Sequence, residues 1–339
     1  MRVLVTGGAG YIGSHTLLEL LAQGHEVTVF DNYSNAHPEV LTRVRALSNR
    51  PVGEVRGDVR DPSALDQVMT DFAPDAVIHF AGLKAVGESM ARPAHYYDVN
   101  VGGTLALLRA MDRAGVKNIV FSSSATVYGE PVYQPYDEAH PCNPTSVYGR
   151  SKLMAEQIIT DWCAVGADKT GILLRYFNPV GAHPSTQLGE DPSGVPDNLM
   201  PLIAHVAVGR RDALSVFGDD YPTPDGTGQR DYIHVVDLAR AHVAAIDWSA
   251  THTGARPFNI GTGQPYSVRE MVQAFEQACG KSIPCTNAPR RAGDIATMQA
   301  DASRARIEMK WQATHDLSDM AASTWAWQSA NPAGYGDGS

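Results

Sequence analysis

Residues 1–13 read Met1-Arg2-Val3-Leu4-Val5-Thr6-Gly7-Gly8-Ala9-Gly10-Tyr11-Ile12-Gly13. A short apolar run stops at glycines and an amphipathic stretch follows at once, which predicts a strand, a tight turn and a helix start. Gly8, Gly10 and Gly13 satisfy a G-x-G-x-x-G spacing, and Gly7, Gly10 and Gly13 a G-x-x-G-x-x-G spacing. One glycine permits the turn, one lets backbone approach a pyrophosphate, and one lets the helix lie close on the strand. The free N–H groups at such a helix start face an anion with the positive end of the helix dipole. A second run, Glu26-Val27-Thr28-Val29-Phe30, ends in Asp31, at the spacing expected of a carboxylate that accepts from the 2′- and 3′-hydroxyls of a ribose. That acid would repel a 2′-phosphate, so the expected cofactor is NAD in preference to NADP. Either feature alone has a plainer reading, a tight turn or a solvated acid; their combination carries the inference.

The bulk composition sets outer limits. The chain has 339 residues, 43% hydrophobic and 19% charged, as expected of a globular protein with room for two lobes. A net charge of −10 argues against a nucleic-acid partner, which needs a basic face, while leaving room for an anionic small substrate held by a few arginines. No apolar run reaches membrane-spanning length, and the first strand begins at the N-terminus without a signal peptide. Cys142, Cys163, Cys279 and Cys285 form no C-x-x-C pair and read as plain thiols in a reducing compartment. A cytoplasmic location is therefore expected.

Strand-like runs near Val3–Val5, Val27–Phe30, Val52–Arg56, Ala76–His79, Asn118–Phe121 and Gly171–Arg175 alternate with helical patterns near Ile12–Gln23, Pro38–Ser48, Ser63–Thr70 and Gly102–Arg113. This alternation predicts an α/β fold, a doubly wound parallel sheet of the Rossmann kind with a smaller mixed α/β substrate lobe. The expected division is an NAD-binding domain over 1–177, to which the chain returns within 230–260, and a substrate-binding lobe occupying most of 178–339. Pro, Gly and Asp cluster in Gly189–Pro196 and Tyr221–Gly228, which read as ordered loops, and Asn331–Ser339 reads as a frayed tail. Ligands of such sheets sit beyond the carboxyl ends of the strands.

There the sequence supplies a second constellation. Ser124 ends a predicted strand, and Tyr148 and Lys152 stand four apart, on one face of a helix. A phenol is a poor base near neutrality. A lysine cation and a positively charged nicotinamide beside it would favour the phenolate and bring it toward working pH. Ser124 would hydrogen-bond the same substrate hydroxyl, and Lys152 would also hold the nicotinamide ribose. His79 and His234 have no metal-ligand spacing and read as packed or backbone-bonded groups; no metal site is expected.

The stretches Thr6–His15, His79–Ser89, Ser122–Gly129, Leu174–Ala182, Arg230–Val235 and Trp325–Gln328 resemble the UDP-glucose 4-epimerase family of the extended short-chain dehydrogenases/reductases, essentially from end to end. The resemblance implies interconversion of UDP-glucose and UDP-galactose with tightly bound NAD. Tyr148 would take the proton of the sugar 4-hydroxyl as C4 gives up hydride, the 4-keto sugar would swing about its diphosphate, and both would return to the opposite face. It also implies cofactor contacts at Gly7, Gly10, Tyr11, Ile12, Gly13, Asp31, Asn32, Asp58, Val59, Phe80, Ala81, Lys84, Asn100, Tyr148, Lys152 and Phe177. Asn100 could equally be a structural cap.

Substrate contacts implied are Lys84, Ser124, Tyr148, Asn178, Asn198, Leu199, Val216, Phe217, Arg230, Arg291, Asp294 and Met298. Arginine forks suit diphosphate oxygens, although Phe217 could be core and Arg290-Arg291 a surface pair. Met298 departs from the tyrosine of the best-known bacterial members; a bulky residue there excludes a 2-acetamido group, so poor turnover of UDP-N-acetylhexosamines is expected. A homodimer joined by helices near Pro93–Arg113 and Tyr148–Ala164 is also implied. The rival readings are a nucleotide-sugar dehydratase, an epimerase preferring UDP-N-acetylhexosamines, and an NAD-sensing binding protein. Ala125-Thr126 lacks the carboxylate that a dehydratase needs after the serine, and a mere sensor has no use for Ser124, Tyr148 and Lys152 together.

Overall fold

A computed structural model describes residues 1–336 apart from 193, 195, 197 and 292. The strands are β1 Arg2–Thr6, β2 Glu26–Asp31, β3 Gly53–Arg56, β4 Ala76–His79, β5 Asn118–Ser124, β6 Thr170–Tyr176, β7 Asn178–Val180, β8 Leu214–Phe217, β9 Gln229–His234, β10 Gly254–Ile260, β11 Pro265–Ser267, β12 Cys285–Ala288 and β13 Thr297–Met298. The helices are α1 Tyr11–Ala22, α2 Glu39–Ser48, α3 Pro62–Phe72, α4 Val86–Ala91, α5 Pro93–Tyr96, α6 Gly103–Ala114, α7 Val147–Ala164, α8 Leu199–Ala207, α9 Val235–Ser249, α10 Val268–Cys279, α11 Ser303–Glu308 and α12 Leu317–Ala330.

Seven strands form one sheet in the order β10-β6-β5-β4-β1-β2-β3, and every pairing is parallel. β1 shows why this sequence makes that sheet. Val3 and Val5 point into one apolar layer with Leu17, Leu20 and the α9 residues Leu238 and Ile246, while Leu4 points into the other with Leu65, Leu107 and Ile159. A strand buried on both faces has no polar alternation, which is why Val3-Leu4-Val5 reads as an unbroken apolar run. The switch of strand order falls between β1 and β4, and the glycine loop follows β1 there.

β10 returns to the sheet edge beside β6 from deep in the second half of the chain. The remaining strands form a four-stranded sheet in which β9 pairs with β7, β11 and β13, and a separate pair, β8 with β12. A core of its own, including Met200, Ile203, Tyr232, Met271, Phe275 and Met320, lies between this sheet and helices α8, α10 and α12.

The tail is a correction. Through Gly336 it is docked instead of frayed: the Tyr335 amide donates to Asp191 (2.8 Å), its hydroxyl bonds Gly189, and its ring lies 4.8 Å from that of Trp327. An aromatic near a chain end, with an apolar partner waiting, outweighs the usual freedom of a terminus. Asp337–Ser339 lie outside the described residues.

Candidate active site

The glycine loop has the predicted geometry. Gly7 sits at φ +70°, and a Cβ there would fall 2.6 Å from the Ala81 amide nitrogen; one on Gly13 would fall 2.7 Å from Gly7 O. Both positions therefore require glycine. Gly10 differs, since a Cβ there would meet only Gly7 O, at 3.3 Å. Its outer side is open, and as N-cap of α1 it carries no capping side chain. The first helical bond runs from Ser14 N–H to Gly10 O, which leaves the N–H groups of Tyr11, Ile12 and Gly13 at the uncapped end. This is a cradle for a diphosphate.

Asp31 lies at the end of β2 beside that loop. Its carboxylate accepts from Ala9 N–H (3.0 Å) and Tyr33 N–H (2.9 Å); burial raises its pKa and these amides oppose the rise. Asn32 donates to Asp58 (3.1 Å), which is clasped by Arg60 and so held well below the usual carboxylate range, despite some burial. Val59 is buried against Gly103. Phe80 and Ala81 follow β4, where both amides donate to Thr6 O. Asn100 is buried, accepts from Leu83 N–H (2.8 Å) and donates to Leu83 O (3.1 Å) and Ser151 (2.9 Å). The structural alternative accounts for all of these contacts: Asn100 braces the loop 82–84.

Ser124, Tyr148 and Lys152 meet at the same carboxyl edge of the sheet. Ser124 Oγ accepts from Thr126 N–H (3.2 Å) and the Thr126 hydroxyl (3.0 Å), so its own proton is directed elsewhere. Helix α7 is capped by Ser146, whose Oγ accepts from Gly149 N–H, and the Tyr148 amide donates to Ser89 Oγ at 3.1 Å. These two anchors set the rotation of the first turn and hence the Tyr148–Lys152 face. Lys152 Nζ donates to Ser122 O (2.7 Å) and stands 4.8 Å from the Phe121 ring centroid.

The protonation balance at this edge is set by burial. Burial holds the Tyr148 phenol above its ordinary value, with the Ser124 hydroxyl pulling the other way, and burial pushes Lys152 down to about 8. The lysine charge is directed at a carbonyl and a ring, so the polypeptide by itself does not bring the phenol toward neutrality. An oxidised nicotinamide beside them would add the positive charge that the sequence reading pairs with the lysine. A Cβ on Gly82 would stand 3.0 Å from Asn100 Oδ1 and 3.8 Å from Lys152 Nζ, so bare backbone lines the approach to the lysine. The open face of Gly10, the Asp31 carboxylate and this glycine-lined approach fit a dinucleotide.

The remaining candidate residues lie mostly in the second half of the chain. Phe177 is buried with Tyr128, Tyr136 and Ala300, with Met298 against the same cluster. Met298 is the register partner of Arg230. Arg230 is held by Gln229 O (2.8 Å), Ile295 O (2.9 Å) and Asp294 (3.5 Å). Val216 is buried in the lobe core, and Phe217, half-buried beside it, carries the Arg291 guanidinium over its ring at 3.9 Å. Arg290 and Arg291 are both exposed but have different partners. Arg290 is bound to Asp220 (2.6 Å), whereas Arg291 stacks on Phe217.

Asn178 opens β7, Asn198 occupies the N-cap position of α8 without a capping side-chain bond, and Leu199 begins that helix. Lys84 makes an ion pair with Glu190 (3.1 Å), which also accepts from Asn198 (3.0 Å). Glu190 escaped the sequence reading because it belongs to no spacing motif and lies in a Gly/Asp/Pro-rich loop. The buried pair of Arg175 with Glu156 (2.6 Å) was also missed; Glu156 standing four residues after Lys152 was its only signal. Among the described residues no group of three or more His, Cys, Asp or Glu is placed to hold a metal, and no helix is long and apolar enough to cross a membrane.

Known proteins share both the sequence and the fold of this chain. Residues 3–261 match the NAD dependent epimerase/dehydratase family. The UDP-glucose 4-epimerase of Bacillus subtilis is 54% identical over 335 residues, covering 99% of each chain. Among solved structures, the UDP-glucose 4-epimerase of Bifidobacterium longum in complex with NAD+ and UDP superposes with a TM-score of 0.95 at 53% identity, covering 98% of this chain and 100% of that one. The enzyme of Stenotrophomonas maltophila with bound NAD and formylated UDP-arabinopyranose gives 0.96 at 50% identity, covering 98% and 99%.

Proposed function

Because this chain belongs to the NAD dependent epimerase/dehydratase family, we propose that it interconverts UDP-glucose and UDP-galactose by NAD-dependent epimerisation at C4, through a transient 4-keto sugar. The observation that carries this reading is the meeting of Tyr148, Lys152 and Ser124 at the carboxyl end of β5, in the sheet whose first strand leads into the uncapped glycine loop.

NAD, when bound, would supply a reversible hydride acceptor. Gly10, Tyr11, Ile12 and Gly13 would hold its diphosphate, Asp31 its adenine ribose, and Lys152 its nicotinamide ribose. Tyr148 removes the proton from the 4-hydroxyl and later gives it back, a two-way task that suits a phenol and not a permanent cation. Ser124 donates its hydroxyl proton to the same sugar oxygen. Arg230 and Arg291 grip the diphosphate while the sugar turns over, Phe217 lines the uracil, and Asp294 takes the uridine ribose. Met298 limits the space for a 2-substituent, which disfavours the N-acetylated substrates.

Incubation with UDP-galactose and no added NAD tests the reading. Conversion to UDP-glucose is the expected result. Release of a 4-keto-6-deoxy sugar would point to a dehydratase, and NAD binding without turnover to a sensor. A cytoplasmic homodimer is part of the same proposal. Met154, 41% exposed on the outer face of α7, supports an apolar contact there, and light scattering at micromolar concentration tests it.

A further inference from the structure

Glu190 lies where three elements of the site converge. Its Oε1 accepts from Lys84 Nζ (3.1 Å) and from Asn198 Nδ2 (3.0 Å), and its side chain is only 8% exposed. Lys84 comes from the loop after β4, whose neighbour Leu83 packs on Tyr148 and is braced by Asn100. Asn198 comes from the second lobe, at the start of α8. On its third side Glu190 is close enough to the part-buried Tyr11 of the glycine loop to help raise that phenol, after desolvation itself.

The segment bearing Glu190 is fastened from behind. A Cβ on Gly189 would fall 2.3 Å from the Trp327 ring, and Tyr335 bonds both polar backbone atoms of Gly189. The carboxylate therefore has a fixed position from which to hold its two donors.

We propose that Glu190 is a positioning residue for the sugar. By engaging one N–H of Lys84 and one of Asn198, it aims their remaining polar atoms at the hexose over Tyr148. This rests on the epimerase reading above. Two alternatives fit poorly. An ion pair whose cation is half exposed adds little to stability, so the contact is not needed to hold the fold. A carboxylate facing an anionic substrate would weaken binding, so it does not serve affinity for the nucleotide diphosphate. What remains is orientation, where a small displacement of substrate costs rate.

The test uses the holoenzyme. Glu190→Gln removes the charge but keeps an acceptor; Glu190→Ala removes both. Expected are a fall in kcat on UDP-galactose of about tenfold for Gln and about 100-fold for Ala, the scale of a substrate misplacement. The Kd for UDP, the bound NAD and the melting temperature should be unchanged. In a double-mutant cycle with Lys84→Met, adding Glu190→Gln should cost little more, because the two residues act as one unit. Wild-type kcat in Glu190→Ala, a parallel fall of kcat, UDP affinity and melting temperature, or losses that multiply in the cycle would each overturn the proposal. A wild-type protein that leaves UDP-galactose unchanged would strike the epimerase reading itself, and this proposal with it. An active wild type with indifferent variants strikes the proposal alone.

Discussion

Lys152 Nζ reaches the main-chain carbonyl of Ser122 at 2.7 Å, tying the Tyr148–Lys152 face of α7 to the end of β5. With Tyr148 anchored one turn earlier through Ser89, the phenol and the ammonium are placed by the protein before any substrate arrives. Preorganisation of this kind makes Tyr148→Phe an isosteric removal of one proton carrier. Epimerisation should fall about 100- to 10,000-fold, the range of general acid–base catalysis, while NAD stays bound and the melting temperature holds. Absorbance of the bound cofactor and a coupled assay check both halves; a variant with unchanged turnover removes Tyr148 from its role.

His242 is fully buried on α9. Its Nδ1 bonds Leu238 O (2.8 Å), its Nε2 has no partner, and burial pushes it down to about 4. The folded value lies below the ordinary 6.5. Between those two values the unfolded chain takes up a proton that the native state refuses. Stability contributed by the neutral ring is therefore complete above the ordinary value and is lost as pH falls toward the folded value. The slope is at most about 1.4 kcal/mol per pH unit per proton. His15, likewise pushed by burial to about 4, adds to the effect. His242→Phe, with an aromatic ring retained beside Phe80, should show a shallower loss of melting temperature between pH 7 and 4.5 than wild type. Parallel curves would show that His242 does not titrate in unfolding.

Much of this was legible because it is local. Gly7, Gly10, Gly13 and Asp31 declare a turn and a strand end whose chemistry follows from a few neighbouring residues, and Tyr148 and Lys152 declare a helix face. The parallel sheet followed from the alternation of apolar runs such as Val3–Val5 with helical patterns. What escaped was long-range. Glu190 gains its meaning from Lys84 and Asn198, the latter across a loop and the former 106 residues away. The depressed Lys152 follows from three-dimensional burial, which no four-residue spacing reveals. Tyr335 looked like part of a polar tail because its partners, Gly189 and Asp191, lie far back in the chain.

Met298 stands opposite Arg230 in the β9–β13 pairing and packs on the cluster of Tyr128, Tyr136 and Phe177. An unbranched thioether there is bulky but yields more readily than an aromatic ring. Wild type should process UDP-N-acetylglucosamine far less efficiently than UDP-glucose. Met298→Ala should raise kcat/KM for the N-acetylated sugar about tenfold, the scale of a few methylenes in a pocket, and Met298→Tyr should lower it. Measured ratios that do not respond to side-chain volume at this position would remove Met298 from control of specificity.

Tyr335 gives the last prediction. Its hydroxyl accepts from Gly189 N–H (3.1 Å) and donates to Gly189 O (3.0 Å), while the Arg43 guanidinium lies 5.0 Å from its ring centroid. Arg43 also donates to Gln187 O (3.0 Å), so ring, guanidinium and loop form one patch behind Glu190. Tyr335→Ala removes the stacking and both hydrogen bonds, and should destabilise the protein by about 2–4 kcal/mol. Tyr335→Phe keeps the ring and should recover roughly half of that, because each hydrogen bond contributes only about 1 kcal/mol net. If this patch also fixes the position of Glu190, the Ala variant will lose kcat beyond what its lower melting temperature explains when both are assayed well below that temperature. The Phe variant should then fall between the two in rate as well as in stability. A rate that is unchanged in Tyr335→Ala while stability drops would show that the tail holds the fold together without reaching the sugar site.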